Sequence, residues 1–309
     1  MIYETPFVAI RGVFIMSENS NLNSAKKSKN DEFYTQYMDI EKELYYYKEH
    51  LNNKIIYCNC DNPSWSNFYR YFRVNFFRLG LKKLVSSYYN SVSKSFYSVY
   101  DGKEEIIYKL KGNGDFRSNE CKELLKEADI VVSNPPFSLF REYISMLMNC
   151  KKSFLVIGNI NASTCRDIFP LFKENLIWFG VSRVECFITP DKSLQRVGTA
   201  YWYSNLDVFS RYIKLNLTKK YDKNKYPKYD DYNAININKL NEIPYDYDGM
   251  MGVPVTFLTK YNPNQFSIIG LDRYLDLPNK VYRFHLNDKE LYARIVIKKI
   301  TKYKNLPKE

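Results

Sequence analysis

The chain has 309 residues, a hydrophobic share of 45% and a formal net charge of +12. This length predicts a main domain and a smaller second one, and no run approaches the about 18 apolar residues of a membrane-spanning helix. The positive balance favours a nucleic-acid partner, although a lysine-rich proteome would produce the same charge. The opening segment lacks the features of a secretion signal, so we expect a cytoplasmic, nucleoid-associated protein.

Apolar runs alternate with amphipathic segments through the first half of the chain. The predicted elements, in chain order, are helix 39–50, strand 54–60, a helix that ends at Gly80, strand 81–89, hairpin 95–110, helix 118–127, strand 129–134, helix 138–150, strand 153–159 and helix 165–174. Asn62 is expected to cap the second helix, with Pro63 in its first position. Alternating strands and helices predict a mostly parallel twisted sheet with helices on both faces.

Three strand-like runs then follow between 176 and 206 without an intervening helix, which predicts an antiparallel edge to the sheet. The composition changes after about residue 215, where Lys, Tyr, Asn and Pro become frequent. Residues 281–300 show alternation typical of a hairpin. We therefore divide the chain into a flexible extension at 1–24, a main domain at 25–215 and a smaller region at 216–309.

The six cysteines form no Cys-x-x-Cys pair, and the chain has two histidines. A structural zinc site needs four ligands at short, paired spacings, so we expect no metal site. Cys58 and Cys60 lie in an apolar run and are expected to be buried thiols.

The most informative motif is the sequence Asn134, Pro135, Pro136, Phe137, which directly follows an apolar strand. Open α/β sheets bind their ligands at the carboxyl ends of strands, where this motif lies. Its alternative role is structural: a rigid turn in which Asn134 caps the helix at 138–150.

The chemistry of the motif suits the methylation of an amine on a nucleobase. Such an amine is a poor nucleophile because its lone pair is delocalised into the ring. The Asn134 side-chain oxygen and the Pro135 carbonyl are expected to accept its two N–H bonds, which directs the lone pair at a methyl donor. The prolines stiffen the turn, and Phe137 offers a face on which a flipped-out base can stack.

The chain resembles the EcoRI-type adenine-N6 DNA methyltransferases. The matching blocks are KNDEFYTQYMDIEKEL at 29–44, IIYCNCDNPSWSNF at 55–68, GDFRSNE at 114–120, DIVVSNPPFSLFREY at 129–143, VIGNINA at 156–162 and IPYDYDGMMGVPVTFLTKYNPNQF at 243–266. The resemblance implies a Rossmann-like class I methyltransferase fold with residues 25–215 as the catalytic domain and 216–309 as the target-recognition region. It also implies S-adenosylmethionine as cofactor.

Residue by residue, the resemblance implies that Tyr34 and Thr35 approach the methionine end of the cofactor. Asp61 would face its ammonium group or ribose, Asp115 would bond its adenine amine, and Phe116 would pack on that ring. Two of these residues have structural alternatives, because Asp61 can help to cap a helix and Asp115 can hold the glycine turn.

The chain departs from most methyltransferases in two respects. CNCDNP contains no glycine-rich loop, and the second strand ends in Tyr88-Tyr89-Asn90 without an acidic residue, which leaves the ribose-binding group open. Basic runs at 219–228 and 298–304 are candidates for phosphate contact or simply solvated charge.

The expected reaction is direct methyl transfer to a flipped adenine in double-stranded DNA by a monomer paired with a restriction endonuclease. The resemblance suggests a GAATTC-like site. Two alternatives stay open: a methyltransferase acting on RNA or on a protein glutamine amide, and a non-catalytic DNA-binding protein on a methyltransferase scaffold.

Overall fold

The computed structural model describes residues 34–189, 193–277 and 282–300, so the extension at 1–24 lies outside the described residues. The strands are β1 Tyr34–Thr35, β2 Ile55–Cys58, β3 Lys83–Ser87, β4 Phe96–Tyr100, β5 Glu105–Lys109, β6 Ile130–Ser133, β7 Ser153–Asn159, β8 Trp178–Arg183, β9 Cys186–Ile188, β10 Leu194–Arg196, β11 Ala200–Ser204, β12 Ile235–Asn236, β13 Met251–Pro254, β14 Phe266–Leu271, β15 His285–Leu286, β16 Lys289–Glu290 and β17 Arg294–Lys299. The α-helices are α1 Tyr37–Leu44, α2 Lys48–Leu51, α3 Asn67–Val74, α4 Asn119–Glu127, α5 Phe140–Asn149 and α6 Phe169–Lys173.

The main sheet has eight strands in the order β5-β4-β3-β2-β6-β7-β11-β8. Its four central strands, β3, β2, β6 and β7, are parallel. Strand β11 runs antiparallel to both β7 and β8, and β4 and β5 form the predicted hairpin at the other edge. The fold is therefore a mixed α/β arrangement with the antiparallel edge that the consecutive strands predicted. The prediction of a mostly parallel sheet was wrong, because three of the described strand pairs of this sheet are parallel and four are antiparallel.

Apolar runs explain why the central strands lie where they do. Every residue of β6 is buried, as are Phe154–Gly158 of β7, because helices or loops cover both faces of the sheet. On α1 and the 3-10 turn after it, Ile40, Leu44 and Tyr47 are fully buried, as the helical spacing predicted.

The start of α3 differs from the prediction. Ser66 is its N-cap, and the Ser66 hydroxyl accepts the backbone N–H groups of Phe68 and Tyr69. Asn62 instead closes a turn by accepting the N–H of Ser64 at 2.9 Å. The capping role of Asn62 was wrong because this turn separates it from the helix.

The region after residue 215 forms a four-stranded sheet in the order β12-β13-β17-β14. The predicted hairpin at 281–300 is present only as the short pair β15–β16. Strand β17, which the prediction placed in the same hairpin, pairs instead with β13 and β14. The two sheets share one apolar cluster that includes Val131, Phe172 and Ile297. A boundary at residues 215 and 216 stays a prediction.

A small three-stranded sheet joins distant parts of the chain. Strand β9 lies between β1 and β10, with Tyr34 opposite Ile188 and Thr35 opposite Phe187. This pairing holds β1 beside the carboxyl edge of the main sheet. Across the described ranges, no helix has the length and apolar character needed to cross a membrane.

Candidate active site

A cavity of about 350 Å³ lies at the carboxyl ends of β2, β3 and β6. In the sheet, β3 lies on one side of β2 and β6 lies on the other, so the strand order reverses at β2. Such a reversal opens a crevice at the carboxyl ends of the strands. The cavity is lined by Tyr34, Thr35, Asn59, Cys60, Asp61, Trp65, Ser66, Asn67, Phe68, Tyr88, Tyr89, Gly114, Asp115, Phe116, Arg117, Asn134, Pro136, Ser138 and Leu139.

Asp61 is the buried acid of this cavity, with 5% of its surface exposed. Its carboxylate accepts the Ser66 hydroxyl at 2.6 Å and the Ser133 hydroxyl at 2.7 Å. Burial raises the pKa of Asp61 to about 6, although these hydrogen bonds and that from the Asn134 backbone N–H oppose the rise. Asp61 does not itself cap α3; it orients the hydroxyl of the residue that does.

Thr35 Oγ1 and Asn59 Nδ2 are buried polar atoms of the wall that have no hydrogen-bond partner among the described residues. The other atom of the Asn59 amide, Oδ1, accepts the Tyr143 hydroxyl, which fixes the orientation of the side chain. Because buried polar groups are rarely left unpaired, both atoms are suited to a polar ligand in the cavity.

Asp115 and Phe116 lie in the wall at the loop that precedes α4. Arg117 donates to both carboxylate oxygens of Asp115, at 2.9 and 2.6 Å, and these bonds lower the pKa of Asp115. Phe116 is buried and packs edge-on against Tyr143, with ring centroids 5.1 Å apart. The Asp115 carboxylate is therefore ionised and fixed in place, at the end of the wall where Phe116 supplies a ring.

The glycine turn before Asp115 is required by its surroundings. Gly114 has φ of +80°, and a Cβ there would overlap the Tyr88 carbonyl oxygen and lie 2.9 Å from Ser95 Cβ. The Ser95 hydroxyl donates to the same Tyr88 carbonyl at 2.6 Å. These contacts bring the end of β3 and the Asp115 loop together and thereby place Tyr88 and Tyr89 in the wall.

The motif after β6 is divided between the cavity and the core. Asn134 and Pro136 line the cavity, whereas the Pro135 side chain is buried. Phe137 is partly buried and contacts Phe187 edge-on, with ring centroids 6.0 Å apart. Helix α5 begins after Leu139 without a side-chain cap, so the alternative role of Asn134 as its cap was wrong.

Sequence reasoning missed several wall residues. Trp65 packs edge-on against Tyr34 at 4.4 Å, and Asn67 Nδ2 donates to the Thr35 carbonyl at 2.8 Å, so both fix the position of β1. Arg117 was missed although it follows Asp115 by two residues. The one sequence signal for Trp65, Asn67 and Arg117 was that they lie within or next to the blocks that resemble the family.

The cysteines and the basic runs follow the predictions in part. Cys58 is buried as predicted, whereas Cys60 is only partly buried because it lines the cavity. Desolvation raises the pKa of both thiols. Lys219 and Lys223 are exposed. Lys299, in contrast, is largely buried and donates to the Tyr245 carbonyl. Lys302 and Lys304 lie outside the described residues.

Known proteins resemble the chain along most of its length. The family model described as adenine-specific methyltransferase EcoRI matches residues 21–304. The type II methyltransferase M.EcoRI of Escherichia coli is 46% identical over 91% of this chain and 96% of its own length. M.MgeORF184P of Mycoplasma genitalium is 38% identical over 90% of this chain and 98% of its own length. M.MpnI of Mycoplasma pneumoniae is 40% identical over 89% of this chain and 97% of its own length. No solved structure gives a significant match.

Proposed function

The chain belongs to the family of the adenine-specific methyltransferase EcoRI, and we propose that it transfers a methyl group from S-adenosylmethionine to the N6 amine of a flipped adenine in duplex DNA. Adenine-specific DNA methylation follows from the family and from its type II relatives. The observation that carries the finer proposal is that one cavity has both Asp61 and Asn134 in its wall, at adjacent strand ends.

The order of the main sheet supports a Rossmann-like methyltransferase fold. Parallel strands form its centre, and the strand order reverses next to β2. Ligands of open α/β sheets occupy the crevice at such a reversal. The cavity opens there, which fits a cofactor and a target base held side by side.

The wall fits the proposed methyl donor, which supplies an electrophilic methyl group on a sulfonium when it is bound. We assign the Asp61 carboxylate to the ammonium of its methionine portion, and the unpaired Asn59 Nδ2 and Thr35 Oγ1 to polar atoms of the same portion. Asp115 and Phe116 would hold the adenine ring, one by accepting its amine and the other by packing.

Asn134 and Pro135 would act on the target adenine. In our proposal the Asn134 side-chain oxygen and the Pro135 carbonyl accept the two N–H bonds of the amine. These acceptors direct the nitrogen lone pair and stabilise the positive charge that develops on nitrogen, which then loses a proton to solvent. Pro136 stiffens the turn, so that the acceptors are positioned before the base arrives.

Phe137 would provide the stacking face for the flipped base. Its edge-on contact with Phe187 fixes the ring and leaves it partly exposed. An adenine paired inside a duplex cannot enter the cavity, so extrusion must precede transfer.

The remaining proposals concern partners. Residues 216–309 would form the target-recognition region, as their positive charge supports. Action as a monomer and pairing with a restriction endonuclease are proposed from the family relationship. The cellular location stays a prediction.

Transfer of labelled methyl groups tests the proposal directly. Purified protein, S-adenosylmethionine with a labelled methyl group, and unmethylated duplex DNA should yield labelled N6-methyladenine. Duplex DNA already methylated at N6 is the matched control and should accept little label. Labelling of RNA or protein in place of DNA would contradict the proposal.

A further inference from the structure

Three arginines lie on chain segments that contact one another beside the carboxyl edge of the main sheet, where the turn at 134–137 continues into α5. Arg141 lies in the first turn of α5, three residues after Ser138 of the cavity wall. Arg166 lies in the loop after β7, and Arg273 lies in a 3-10 turn that follows β14. We refer to Arg141, Arg166 and Arg273 as the arginine seam.

Contacts between the three segments hold them together although they are distant in sequence. Arg141 Nε donates to both carboxylate oxygens of Asp167 at 3.0 Å, which joins α5 to the loop that carries Arg166. The Tyr274 hydroxyl donates to the Thr164 carbonyl at 2.9 Å, which joins the turn that carries Arg273 to the same loop. The guanidinium groups of Arg141 and Arg273 both act to lower the pKa of the Cys165 thiol, although burial raises it overall.

The seam carries more positive charge than its surroundings neutralise. Within the described ranges, Asp167 pairs with Arg141, whereas neither Arg166 nor Arg273 forms an ion pair. Asp272, next to Arg273, is fully buried and is paired with Arg283. Arg166 is exposed and Arg273 is partly exposed, so two guanidinium groups remain available to an anion.

We propose that the arginine seam binds the phosphate backbone of the DNA strand next to the flipped adenine. The inference rests on the proposed function and adds the surface on which the strand lies. Arginine is suited to this task because its planar group can donate two parallel bonds to one phosphate. The seam spans the catalytic region and the C-terminal region, so a strand bound there lies between the cavity and the proposed target-recognition region.

The test measures DNA affinity as a function of salt concentration. Fluorescence anisotropy of a labelled duplex would be recorded from 50 to 300 mM salt for the wild type, Arg166→Gln and Arg273→Gln. Each substitution should reduce the slope of log K against log salt by about 0.9, and affinity near 0.1 M salt should fall about 5- to 10-fold. Affinity for S-adenosylhomocysteine, measured by calorimetry, should be unchanged.

Arg78→Gln is the matched control, because Arg78 is an exposed arginine near the start of β3, at the opposite edge of the sheet. Its salt slope should equal that of the wild type. Equal slopes for Arg78→Gln and Arg166→Gln would overturn the proposal, and so would stronger binding of duplex RNA than of duplex DNA. If Arg273→Gln fails to fold in a thermal melt, Arg166→Gln alone decides the result. Failure of the wild type to methylate DNA would instead reject the proposed function.

Discussion

The Ser133 hydroxyl donates to Asp61 Oδ2 across 2.7 Å and thereby links the last residue of β6 to the acid that follows β2. Asn134 comes directly after Ser133, and its backbone N–H bonds the same carboxylate. The proposed cofactor acid and the proposed catalytic turn are thus held by one hydrogen-bond network. A change in the charge of Asp61 should therefore alter both cofactor binding and the position of the turn at Asn134.

Cofactor binding should depend on pH through Asp61. Its pKa is raised to about 6, so the carboxylate is ionised at pH 7 and becomes protonated as the pH falls through 6. Affinity for S-adenosylhomocysteine should fall up to about tenfold for each pH unit below 6, because the ammonium loses its partner. Calorimetry between pH 5 and 8 would measure this. In Asp61→Asn, binding should be weaker at pH 8 and nearly independent of pH; equal slopes in both proteins would contradict the role.

The stability of the ligand-free protein should change with pH in the opposite direction, again because of Asp61. The folded pKa of Asp61 lies above its ordinary value of 3.8, so protonation favours the folded state. The cost of burying the charge is greatest above pH 6 and is relieved as the pH falls from 6 toward 4. Asp61→Asn should raise the melting temperature at pH 8 and change it little at pH 4. A lower melting temperature at pH 8 would indicate that the hydrogen bonds outweigh desolvation.

Asn134→Ala should separate chemistry from binding. Removal of one preorganised acceptor typically lowers the rate by about 10²- to 10³-fold, so kcat should fall by that factor while DNA affinity changes little. Single-turnover methylation and anisotropy would measure the two quantities. Asn149→Ala, at the exposed end of α5, is the control and should behave as the wild type. Full activity of Asn134→Ala would remove Asn134 from the mechanism.

Phe137 should require an aromatic ring rather than a particular side chain. Phe137→Tyr retains a ring for stacking and should remain active, whereas Phe137→Ala should be severely impaired. A duplex with 2-aminopurine at the target position would report base extrusion by fluorescence. If Phe137→Ala and Phe137→Tyr showed equal activity and fluorescence, stacking would have no part in the reaction.

Gly114→Ala should damage both the fold and the cofactor site. Its φ of +80° and the overlap of a new Cβ with the Tyr88 carbonyl leave no room for a side chain. We expect a loss of about 2–4 kcal/mol in the free energy of unfolding and weaker cofactor binding. Gly198→Ala is the control, since a Cβ there meets no atom within 4 Å. Urea unfolding would compare the two variants, and equal stabilities would show that the turn can rearrange.

The central strands could be predicted from the sequence because both of their faces are apolar. Strand β6 is buried throughout and β7 is buried from Phe154 to Gly158, so the apolar runs and the burial agree. Even the antiparallel edge was predictable, because consecutive strands without helices between them allow few other connections.

The start of α3 could not be predicted, because Asn62 and Ser66 are both good capping residues four positions apart. The choice depends on Asp61, whose carboxylate accepts the Ser66 hydroxyl. Strand β17 was misjudged for a similar reason. Arg294 resembles an outward residue, yet it is buried and donates to the side chains of Asn236 and Asn238. Contacts between residues so far apart leave no local pattern.

The cavity was only partly predictable. The blocks identified Asp61 and Asn134, but β1 joins them through pairing with β9, about 150 residues further along the chain. Tyr34 and Thr35 were named from the resemblance, whereas Trp65 and Asn67, which hold β1 in place, carry no motif of their own.

Sequencing of genomic DNA would show whether the protein methylates adenine in cells and whether Asn134 is needed. A host without DNA methylation would express either the wild type or Asn134→Ala, and single-molecule sequencing would identify modified bases and their context. We expect N6-methyladenine at one defined sequence in cells that express the wild type, and almost none with Asn134→Ala. Absence of N6-methyladenine in the wild type, or equal modification by both proteins, would contradict this expectation.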